Sequence, residues 1–434
     1  MLKKLFCSSA VFLLVLCVAA GNVTVDFKIN NAKPFYNVGD KIIITANVLE
    51  DGNPAAGKNI RCNFTCNAKT LKYIRKADAG KPFVFEHTAK EPGFVSVRFY
   101  LVDENGKTIK QQVKRGSRTV TLDSCGGYGV MISPEKLAPS VEEPADFDEF
   151  WNGIKAELAK VPVKEIERKH IPNKRADVYD VKISCIGDKP VSGYLCIQKN
   201  AKPKSLPAIV YYHAAGVRSS YICAGHNAIL FNVNAHGILN GQSKEYYEKM
   251  RFGALKNYPR IGKESRDTIY FRGMFLRMLR SLDYVKSRPE WNGKVLVVTG
   301  GSMGGGQSIA AAALDPQVTL VVAGVPAIGD HGGNLAKIPR RPGWPQFYYA
   351  KTAAPEVTKA TSYYDNIFFA RRVKCEVFLT TGLIDRTCPP TSVYLYYMNL
   401  KSAKKDLDVF PCGEHNGCPT TKGYKRLREV IAGK

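Results

Sequence analysis

The stretch Lys294-Val-Leu-Val-Val-Thr-Gly-Gly-Ser-Met-Gly-Gly-Gly-Gln-Ser-Ile-Ala-Ala-Ala-Ala-Leu314 predicts a strand, a sharp turn and a helix, in that order. Residues 295–298 form a β-branched and aliphatic run of the kind found in buried parallel strands. Residues 307–314 are rich in alanine, which favours helix. Between them lies Gly-x-Ser-x-Gly, centred on Ser302, a turn that exposes a nucleophilic serine at the end of a strand.

The chemistry of a nucleophilic serine explains why this turn contains glycines. A serine hydroxyl is a weak nucleophile unless a base removes its proton, so Ser302 has to stand out from the backbone where a base can reach it. Gly300 and Gly304 lack the Cβ atoms that would clash in so tight a turn, and Gly305 and Gly306 would let the helix lie close to the strand. A phosphate-binding loop is the alternative, but the Gly-Lys-Ser/Thr of a Walker loop is absent.

Strand and helix patterns alternate through the last 300 residues or so. Strands are predicted at 178–185, 193–197, 206–212, 228–233, 295–298, 318–325, 375–381 and 406–410, and helices at 147–158 (capped by Asp146), 266–287, 307–314 and 422–431. Residues 178–185 and 193–197 should form an antiparallel pair around Gly187-Asp188. The alternation predicts a doubly wound, mostly parallel α/β sheet. Ligands of such sheets bind beyond the carboxyl ends of the strands.

Three reactive side chains are predicted at those ends. Ser302 follows one strand, Asp385 follows 375–381, and His415 follows 406–410. Their order along the chain is that of the α/β-hydrolase fold. We expect His415 to take the Ser302 proton and Asp385 to hold the His415 tautomer, with Glu414 as the alternative orienting carboxylate.

An oxyanion hole needs two N–H donors. We expect one from Met303, which follows the nucleophile, and the other from Ala215 in the loop after 206–212. His213 in that loop is a candidate substrate contact, although organising the loop is its more natural role. In Arg340-Arg341-Pro-Gly-Trp344-Pro345, Trp344 could stack on a sugar and the arginines could pair with acids, or the segment could be a packed loop.

The first part of the chain reads as all-β. Residues 41–48 and 94–102 are strand-like and adjoin the turn signals Asp51-Gly52 and Pro92-Gly93, which predicts an immunoglobulin-like β-sandwich. Gly126-Gly127-Tyr128-Gly129 marks the expected joint, giving a signal peptide at 1–20, the sandwich at 21–130 and the catalytic domain at 131–434. The sandwich could be structural, bind glycan, shade the active site or act as a spacer.

The amino terminus and the charge suggest where the protein works. Two lysines, a short apolar run and small residues ending at Ala20 are typical of a secretory signal peptide, with a lipoprotein signal at Cys17 as the alternative. No other run is long enough to span a membrane. Removing Lys3 and Lys4 with the signal lowers the net charge from +25 to +23. This balance suits an anionic polysaccharide or a cell surface rather than nucleic acid, or is simply a solvated basic surface.

Cysteine usage points away from a metal site. Of the twelve cysteines, Cys7 and Cys17 lie in the predicted signal, and some of the other ten are expected to pair in an oxidising compartment. No Cys-x-x-Cys pair has zinc-site spacing, so we expect no metal and no other cofactor.

Four segments carry a resemblance to a known family. They are Asp146-Phe-Asp-Glu-Phe-Trp151, Tyr270-Phe-Arg-Gly273, Gly300-Gly-Ser-Met-Gly-Gly-Gly306 with Ala311-Ala-Ala-Leu-Asp-Pro316, and Gly382-Leu-Ile-Asp385 with Cys388-Pro-Pro390. In this order they resemble the acetyl xylan esterase/cephalosporin C deacetylase family of carbohydrate esterases. The resemblance implies an α/β-hydrolase that removes acetyl groups from xylan or acetylated oligosaccharides, with Ser302, Asp385 and His415 as its triad.

The chain departs from the family pattern around the expected pocket. Met303 stands where the family usually has Gln, and His213-Ala214-Ala215 replaces His/Ile-Gly-Tyr. Asn232-Val-Asn-Ala-His-Gly237 replaces Asp-Thr-Arg-Gly-Gln-Gly, so the natural acyl group and the sugar are left open. The first domain lies outside the likeness and could block the ring-shaped hexamer that such esterases often form. The oligomeric state is therefore left open.

These observations predict a secreted or periplasmic serine esterase that acts on acetylated polysaccharide or oligosaccharide. Two other functions are carried forward. One is another α/β-hydrolase activity, such as an exopeptidase or a different carboxylesterase. The other is a non-catalytic polysaccharide-binding protein on a former hydrolase scaffold, which an intact triad argues against.

Overall fold

The computed structural model describes residues 22–115, 118–187, 189–347 and 354–434. The predicted signal peptide at 1–20 lies outside the described residues. Among the helices within these ranges, none has both the length and the apolar character that crossing a membrane requires.

The first part of the chain folds as two sheets around one hydrophobic core. Its strands are β1 (Val23–Ile29), β2 (Phe35–Tyr36), β3 (Lys41–Glu50), β4 (Asn53–Pro54), β5 (Asn59–Cys66), β6 (Lys69–Lys76), β7 (Phe83–Thr88), β8 (Gly93–Leu101), β9 (Gln111–Arg115), β10 (Arg118–Leu122) and β11 (Gly126–Ile132). One sheet contains β1, β3, β4 and β7, the other has the order β2-β11-β8-β5-β6, and β9 pairs with β10. Side chains of both sheets, such as Ile44 and Val97, are fully buried in the shared core. The immunoglobulin type of this sandwich stays a prediction.

Two local predictions in the sandwich have different outcomes. Asp51 and Gly52 both have positive φ, at 52° and 84°, so the predicted turn after β3 is confirmed. The prediction that Gly126-Gly127-Tyr128-Gly129 forms a joint between domains is wrong, because these residues form the first half of β11. Strand β11 pairs antiparallel with β8 in the middle of its sheet.

The rest of the chain is built on a nine-stranded sheet. Its strands are β12 (Glu165–Ile171), β13 (Ala176–Ile183), β14 (Val191–Gln198), β15 (Leu206–Tyr212), β16 (Ile229–Asn234), β17 (Trp291–Gly301), β18 (Leu320–Gly324), β19 (Glu376–Gly382) and β20 (Lys405–Phe410). The order is β12-β13-β14-β16-β15-β17-β18-β19-β20, antiparallel up to β16 and parallel from there on. The predicted α/β sheet is therefore confirmed, with an antiparallel edge.

Eight helices are present in the described ranges. They are α1 (Phe147–Ala159), α2 (Lys244–Phe252), α3 (Tyr270–Lys286), α4 (Met303–Leu314), α5 (Pro355–Ser362), α6 (Asn366–Ala370), α7 (Pro390–Asn399) and α8 (Thr421–Ile431). Helix α3 begins four residues later than predicted, and α4 begins four residues earlier. Asp146 occupies the N-cap position of α1 but makes no capping hydrogen bond, because its carboxylate binds Tyr363 and Arg266 instead.

The cysteines that the structure describes do not pair. All ten cysteines in the described ranges are free thiols. The expectation that some of them form disulfides is therefore wrong for this part of the chain.

Candidate active site

The backbone of the turn after β17 is strained at Ser302. Ser302 has φ 54° and ψ −119°, a conformation that costs about 1–3 kcal/mol for a residue with a side chain and that persists only where the surroundings enforce it. A Cβ at Gly304 would lie 2.1 Å from the carbonyl oxygen of Tyr212, and one at Gly300 would lie 2.6 Å from the same atom. Glycine at both positions lets the elbow close onto the end of β15 while Ser302 stays at its apex.

Gly305 and Gly306 have a different role from the one predicted. They lie within α4, and the atoms that a Cβ would meet belong to the end of β18, the loop after it and α6 rather than to β17. A Cβ at Gly306 would lie 2.4 Å from the carbonyl oxygen of Ala327, and one at Gly305 would lie 3.1 Å from Cα of Pro326. These glycines therefore let the helix approach the neighbouring loop.

Ser302, His415 and Asp385 are joined by a continuous chain of hydrogen bonds. His415 Nε2 lies 3.0 Å from Ser302 Oγ, and His415 Nδ1 lies 2.8 Å from Asp385 Oδ2. Because an ionised Asp385 only accepts hydrogen bonds, Nδ1 carries the proton and Nε2 is left as the acceptor for the serine hydroxyl. This is the arrangement in which imidazole can act as a general base toward the serine.

The Asp385 carboxylate is buried and held in place. Its Oδ1 accepts the backbone N–H groups of Thr387 at 2.7 Å and Cys388 at 3.0 Å, so Oδ2 faces His415. The side chain of Asp385 has no exposed surface, whereas that of His415 is 23% exposed. The site is thus closed on the carboxylate side and open on the imidazole side.

Glu414, the alternative orienting residue, points elsewhere. Its Oε1 accepts a hydrogen bond from Ser124 Oγ at 3.0 Å and lies 3.2 Å from Arg98 Nη2. Both partners belong to the sandwich. Glu414 therefore ties the His415 loop to the first half of the chain rather than orienting the imidazole.

The two expected oxyanion donors are not engaged by the protein. Met303 is the first residue of α4, where backbone N–H groups have no partner within the helix. Within the described ranges, neither its N–H nor that of Ala215 donates a hydrogen bond. The Met303 side chain is fully buried, and Tyr258 donates its hydroxyl hydrogen to the sulfur at 3.4 Å.

His236 holds the loop that carries Ala215, a role that the sequence did not reveal. Its Nε2 lies 3.2 Å from the carbonyl oxygen of Gly216, and its Nδ1 lies 2.6 Å from the hydroxyl of Tyr270. Burial lowers the pKa of His236 to about 3, so the ring is neutral, with Nε2 donating and Nδ1 accepting. The only available signal was that His236 lies in the segment that departs from the family pattern.

The two candidate substrate contacts are mostly buried. His213 is 2% exposed, lies beside the ring of Tyr221, and has its pKa lowered to about 4 by burial and by the charge of Arg218. Trp344 is half-buried, with its ring edge-on to Phe271. These positions leave His213 little surface for a ligand.

The arginines beside Trp344 differ from each other. Arg340 is buried and binds both carboxylate oxygens of Asp330 at 2.8 Å, so it is not available to pair with a substrate acid. Arg341 donates from Nε to the carbonyl oxygen of Arg386 at 2.5 Å. Its other guanidinium nitrogens make no hydrogen bond within the described ranges.

The possible metal ligands nearest to each other coincide with the triad. The donor atoms of Asp385, Cys388 and His415 lie within 4.8 Å of one another. Asp385 and His415 are already joined by a hydrogen bond, and burial, together with the charge of Asp385, raises the pKa of the Cys388 thiol well above its usual value. A neutral thiol is a poor metal ligand, so these residues fit a hydrogen-bonded triad better than a metal centre.

Comparison with known proteins identifies the family to which most of the chain is similar. The acetyl xylan esterase family model matches residues 135–428. Acetyl esterase Axe7A of Xylanibacter ruminicola is 32% identical over 348 residues, which cover 77% of this chain and 74% of that protein.

Two solved structures resemble the chain in fold over about two thirds of its length. The acetyl xylan esterase of Paenibacillus sp. R4 superposes with a TM-score of 0.58 at 24% identity, covering 69% of this chain and 98% of that one. Acetyl xylan esterase 1 of Thermoanaerobacterium sp. JW/SL YS485 superposes with a TM-score of 0.51 at 25% identity, covering 66% and 93%. In both cases about a third of this chain has no counterpart in the alignment.

Proposed function

Because this chain belongs to the acetyl xylan esterase family and is a carboxylic ester hydrolase, we propose that it is a secreted serine esterase that removes acetyl groups from xylan or acetylated oligosaccharides. Family membership also sets aside the alternative of a non-catalytic binding protein. The proposal goes further than the family by assigning the residues, the acyl-enzyme route and the location.

One observation carries the assignment of residues. Ser302 Oγ, His415 and the buried Asp385 carboxylate form one hydrogen-bonded chain with separations of 3.0 and 2.8 Å. The proton on Nδ1 leaves Nε2 free to accept the proton of the serine hydroxyl. This supports Ser302 as nucleophile, His415 as base and Asp385 as the residue that fixes the tautomer.

The proposed reaction has two halves. In the first, His415 Nε2 takes the hydroxyl proton while Ser302 Oγ attacks the acetyl carbonyl carbon, and the backbone N–H groups of Met303 and Ala215 bind the oxyanion. The tetrahedral intermediate collapses, the C–O bond to the sugar breaks, and His415 gives its proton to the departing sugar oxygen. In the second half, His415 takes a proton from a water whose oxygen attacks the acetyl-serine carbonyl; the bond to Ser302 Oγ then breaks, His415 returns the proton to Oγ, and acetate leaves.

Location and domain limits belong to the same proposal. The lysines and the apolar run before Ala20 support secretion after cleavage of a signal peptide. We propose that the domain limit, predicted between 130 and 131, lies at the end of β11 (Gly126–Ile132), and that the sandwich is of immunoglobulin type. Limited proteolysis followed by N-terminal sequencing of the secreted protein tests the cleavage site and the domain limit together.

Hydrolysis of p-nitrophenyl acetate, butyrate and octanoate tests the residue assignment. We expect the acetate ester to be preferred, and Ser302→Ala to lower kcat by about 10⁴ or more, as removal of a triad nucleophile does. Ser287→Ala is the matched control, because Ser287 lies at the end of α3 and its hydroxyl only donates to the carbonyl oxygen of Tyr284 and accepts from Arg288 Nη2. Activity that survives Ser302→Ala contradicts the triad.

Release of acetate from acetylated xylo-oligosaccharides tests the substrate class. We expect the native protein to release acetate and Ser302→Ala to release none. Cleavage of peptidyl amides with no acetate release from any acetylated glycan would instead favour the exopeptidase alternative.

A further inference from the structure

A groove of about 610 Å³ lies where the sandwich meets the loop that carries Asp385. The sandwich contributes Arg61, Lys72 and Arg98 to its walls, and the hydrolase half contributes Arg341 and Arg386. We call it the cationic groove. It is distinct from the triad but adjoins it, because Ile384 and Asp385 also line it.

The positive charges of this groove are largely unbalanced. Arg340 also lines the groove, but its charge is balanced by Asp330. Within the described ranges, Arg61, Lys72, Arg341 and Arg386 form no salt bridge, and Arg98 pairs only with Glu414. The sole acidic lining residue in those ranges is Asp385, whose carboxylate is taken up by His415 and by two backbone N–H groups. The groove therefore offers cations without offering their counter-charges.

The arginines also act on one another. Burial lowers the pKa of the Arg341 guanidinium, and the charges of Arg386 and Arg98 lower it further, against the opposite effect of Asp385. Like charges held close together repel unless an anion lies between them. A carboxylate in the groove would relieve this repulsion and form charge-assisted hydrogen bonds.

Neutral polar groups complete the lining. The hydroxyl oxygens of Thr65 and Thr70 lie 3.0 Å apart on neighbouring strands β5 and β6. In the part of the chain that the structure describes, Arg61 Nε and Asn63 Oδ1 are buried and have no hydrogen-bond partner. A buried donor and a buried acceptor without partners are costly, and they suit a ligand that carries hydroxyl groups.

The groove is also held close to the catalytic loops. Arg98 Nη2 donates to the carbonyl oxygen of Ile384 at 2.6 Å, directly before Asp385 in the chain, and contacts Glu414, directly before His415. A polymeric substrate that runs from Ser302 past the Asp385 loop would therefore meet the groove.

We propose that the cationic groove binds the carboxylate of a uronic acid on an acidic, acetylated glycan, so that the sandwich supplies one wall of a subsite for charged substrates. The presence of acetyl esters on this glycan rests on the proposed function. The binding of a carboxylate is argued from the groove alone. Arg386 and Lys72, one from each half, are exposed, and their side chains make no hydrogen bond within the described ranges, so they can meet the carboxylate.

Binding to catalytically silent protein tests the groove without relying on deacetylation. The probes are a xylo-oligosaccharide that carries one glucuronic acid and a neutral one of the same length, both without acetyl groups, titrated into Ser302→Ala by calorimetry. At about 0.05 M salt we expect the acidic probe to bind about tenfold more tightly. This preference should fall to about twofold at about 1 M salt, because screening weakens pairs that water can reach.

Paired variants locate that preference. Lys72→Gln/Arg386→Gln in the same background should reduce the acidic preference to about twofold. Lys425→Gln/Arg428→Gln, which removes one lysine and one arginine from the exposed face of α8, should leave it at about tenfold. Equal binding of the two probes by the parent, or equal losses in the two double variants, overturns the proposal.

Two further measurements distinguish this proposal from general polyanion binding and from the proposed function. A single-stranded oligonucleotide of comparable charge that displaces the acidic probe with equal efficiency would show general polyanion binding and overturn a glycan subsite. In the active protein, the ratio of kcat/KM for acidic over neutral acetylated oligosaccharides should fall about fivefold in Lys72→Gln/Arg386→Gln. A retained acidic preference in binding, with no acetate release from either substrate, would refute the proposed function and leave the groove standing.

Discussion

The elbow at Ser302 and strand β11 of the sandwich both depend on glycine, but they use it at different scales. At the elbow, Gly304 lets the start of helix α4 approach the end of β15, and a Cβ there would lie 2.1 Å from the carbonyl oxygen of Tyr212. In β11, a Cβ at Gly129 would lie 2.4 Å from the carbonyl oxygen of Leu383, which belongs to the loop that carries Asp385. One glycine shapes the turn at Ser302, and the other lets a separate sheet reach the loop that carries Asp385.

This difference bears on what the sandwich is for. Gly129 N–H donates to the carbonyl oxygen of Pro411 at 2.9 Å, and Ser124 Oγ donates to Glu414 at 3.0 Å, both in the loop that carries His415. Arg98 holds the Asp385 loop through the carbonyl oxygen of Ile384. A domain that merely spaced the enzyme from a surface would not need contacts with both catalytic loops. We infer that the sandwich supports these loops.

The largest expected effect lies on the hydrolase side of the comparison. Asp385→Asn should lower kcat for p-nitrophenyl acetate by about 10⁴, because an amide can donate to Nδ1 and favour the wrong imidazole tautomer. Urea denaturation of the variant serves as the control, since the fold should be retained. A loss of less than about tenfold would show that Asp385 does not orient His415.

The second effect is a loss of stability at low pH that we expect in the hydrolase part of the chain. Burial lowers the pKa of His213 to about 4 and the pKa of His236 and His331 to about 3, and all three lie in the hydrolase half. The unfolded chain, with a histidine pKa near 6.5, binds more protons than the folded chain below that pH. Stability is therefore complete above about pH 6.5 and falls as the pH drops toward 4, by about 2 kcal/mol for each histidine near pH 4.5.

The three tryptophans give this prediction a direct probe. Trp151, Trp291 and Trp344 all lie in the hydrolase half, so their fluorescence reports on that half alone. In urea titrations, fluorescence and circular dichroism should agree at about pH 7.5 and separate at about pH 5, with the fluorescence transition at lower urea. Coincident transitions at both pH values would mean that the two halves unfold as one unit. His226 is exposed, so His226→Gln should leave this dependence of stability on pH unchanged and serves as the control.

The contact of β11 with the Asp385 loop gives the third effect. In Gly129→Ala the new methyl group meets backbone atoms of Leu383, so the loop must move. We expect kcat to fall about 10- to 100-fold with a smaller change in KM, since displacement of Asp385 weakens the triad but leaves the acyl pocket intact. Gly153→Ala is the control, because a Cβ there meets nothing within 4 Å and alanine favours helix α1. An unchanged kcat in Gly129→Ala would mean that the sandwich does not support the loop.

The elbow also shows which parts of the fold and the site could be predicted from the sequence. The elbow and the loops after β19 and β20 follow from local signals, namely an apolar run, a turn-forming segment and the next helix. Ser302, Asp385 and His415 are therefore assignable from the order of residues alone. Distances of 3.0 and 2.8 Å bring these three residues together as expected.

What the sequence missed depends on distant partners. The 126–129 segment resembles a linker because glycine is a poor strand former, and its partner Leu383 lies more than 250 residues away. Strand β12 was missed because Glu165–Ile171 is a charged, mostly exposed edge strand without an apolar alternation. The cationic groove draws its charges from both halves of the chain, so no single motif could indicate it.

The smallest effect tests whether the sandwich acts on the triad by position or by charge. Glu414 is adjacent to His415, but its carboxylate faces Ser124 and Arg98 and its side chain is 46% exposed. Glu414→Gln keeps the shape and the hydrogen-bond acceptor while removing the charge, so kcat for p-nitrophenyl acetate should change by less than about threefold and stability by less than about 1 kcal/mol. A loss as large as that of Asp385→Asn would instead make Glu414 the orienting carboxylate. A small loss, beside a large one in Gly129→Ala, would mean that the sandwich holds the catalytic loops mainly through backbone fit.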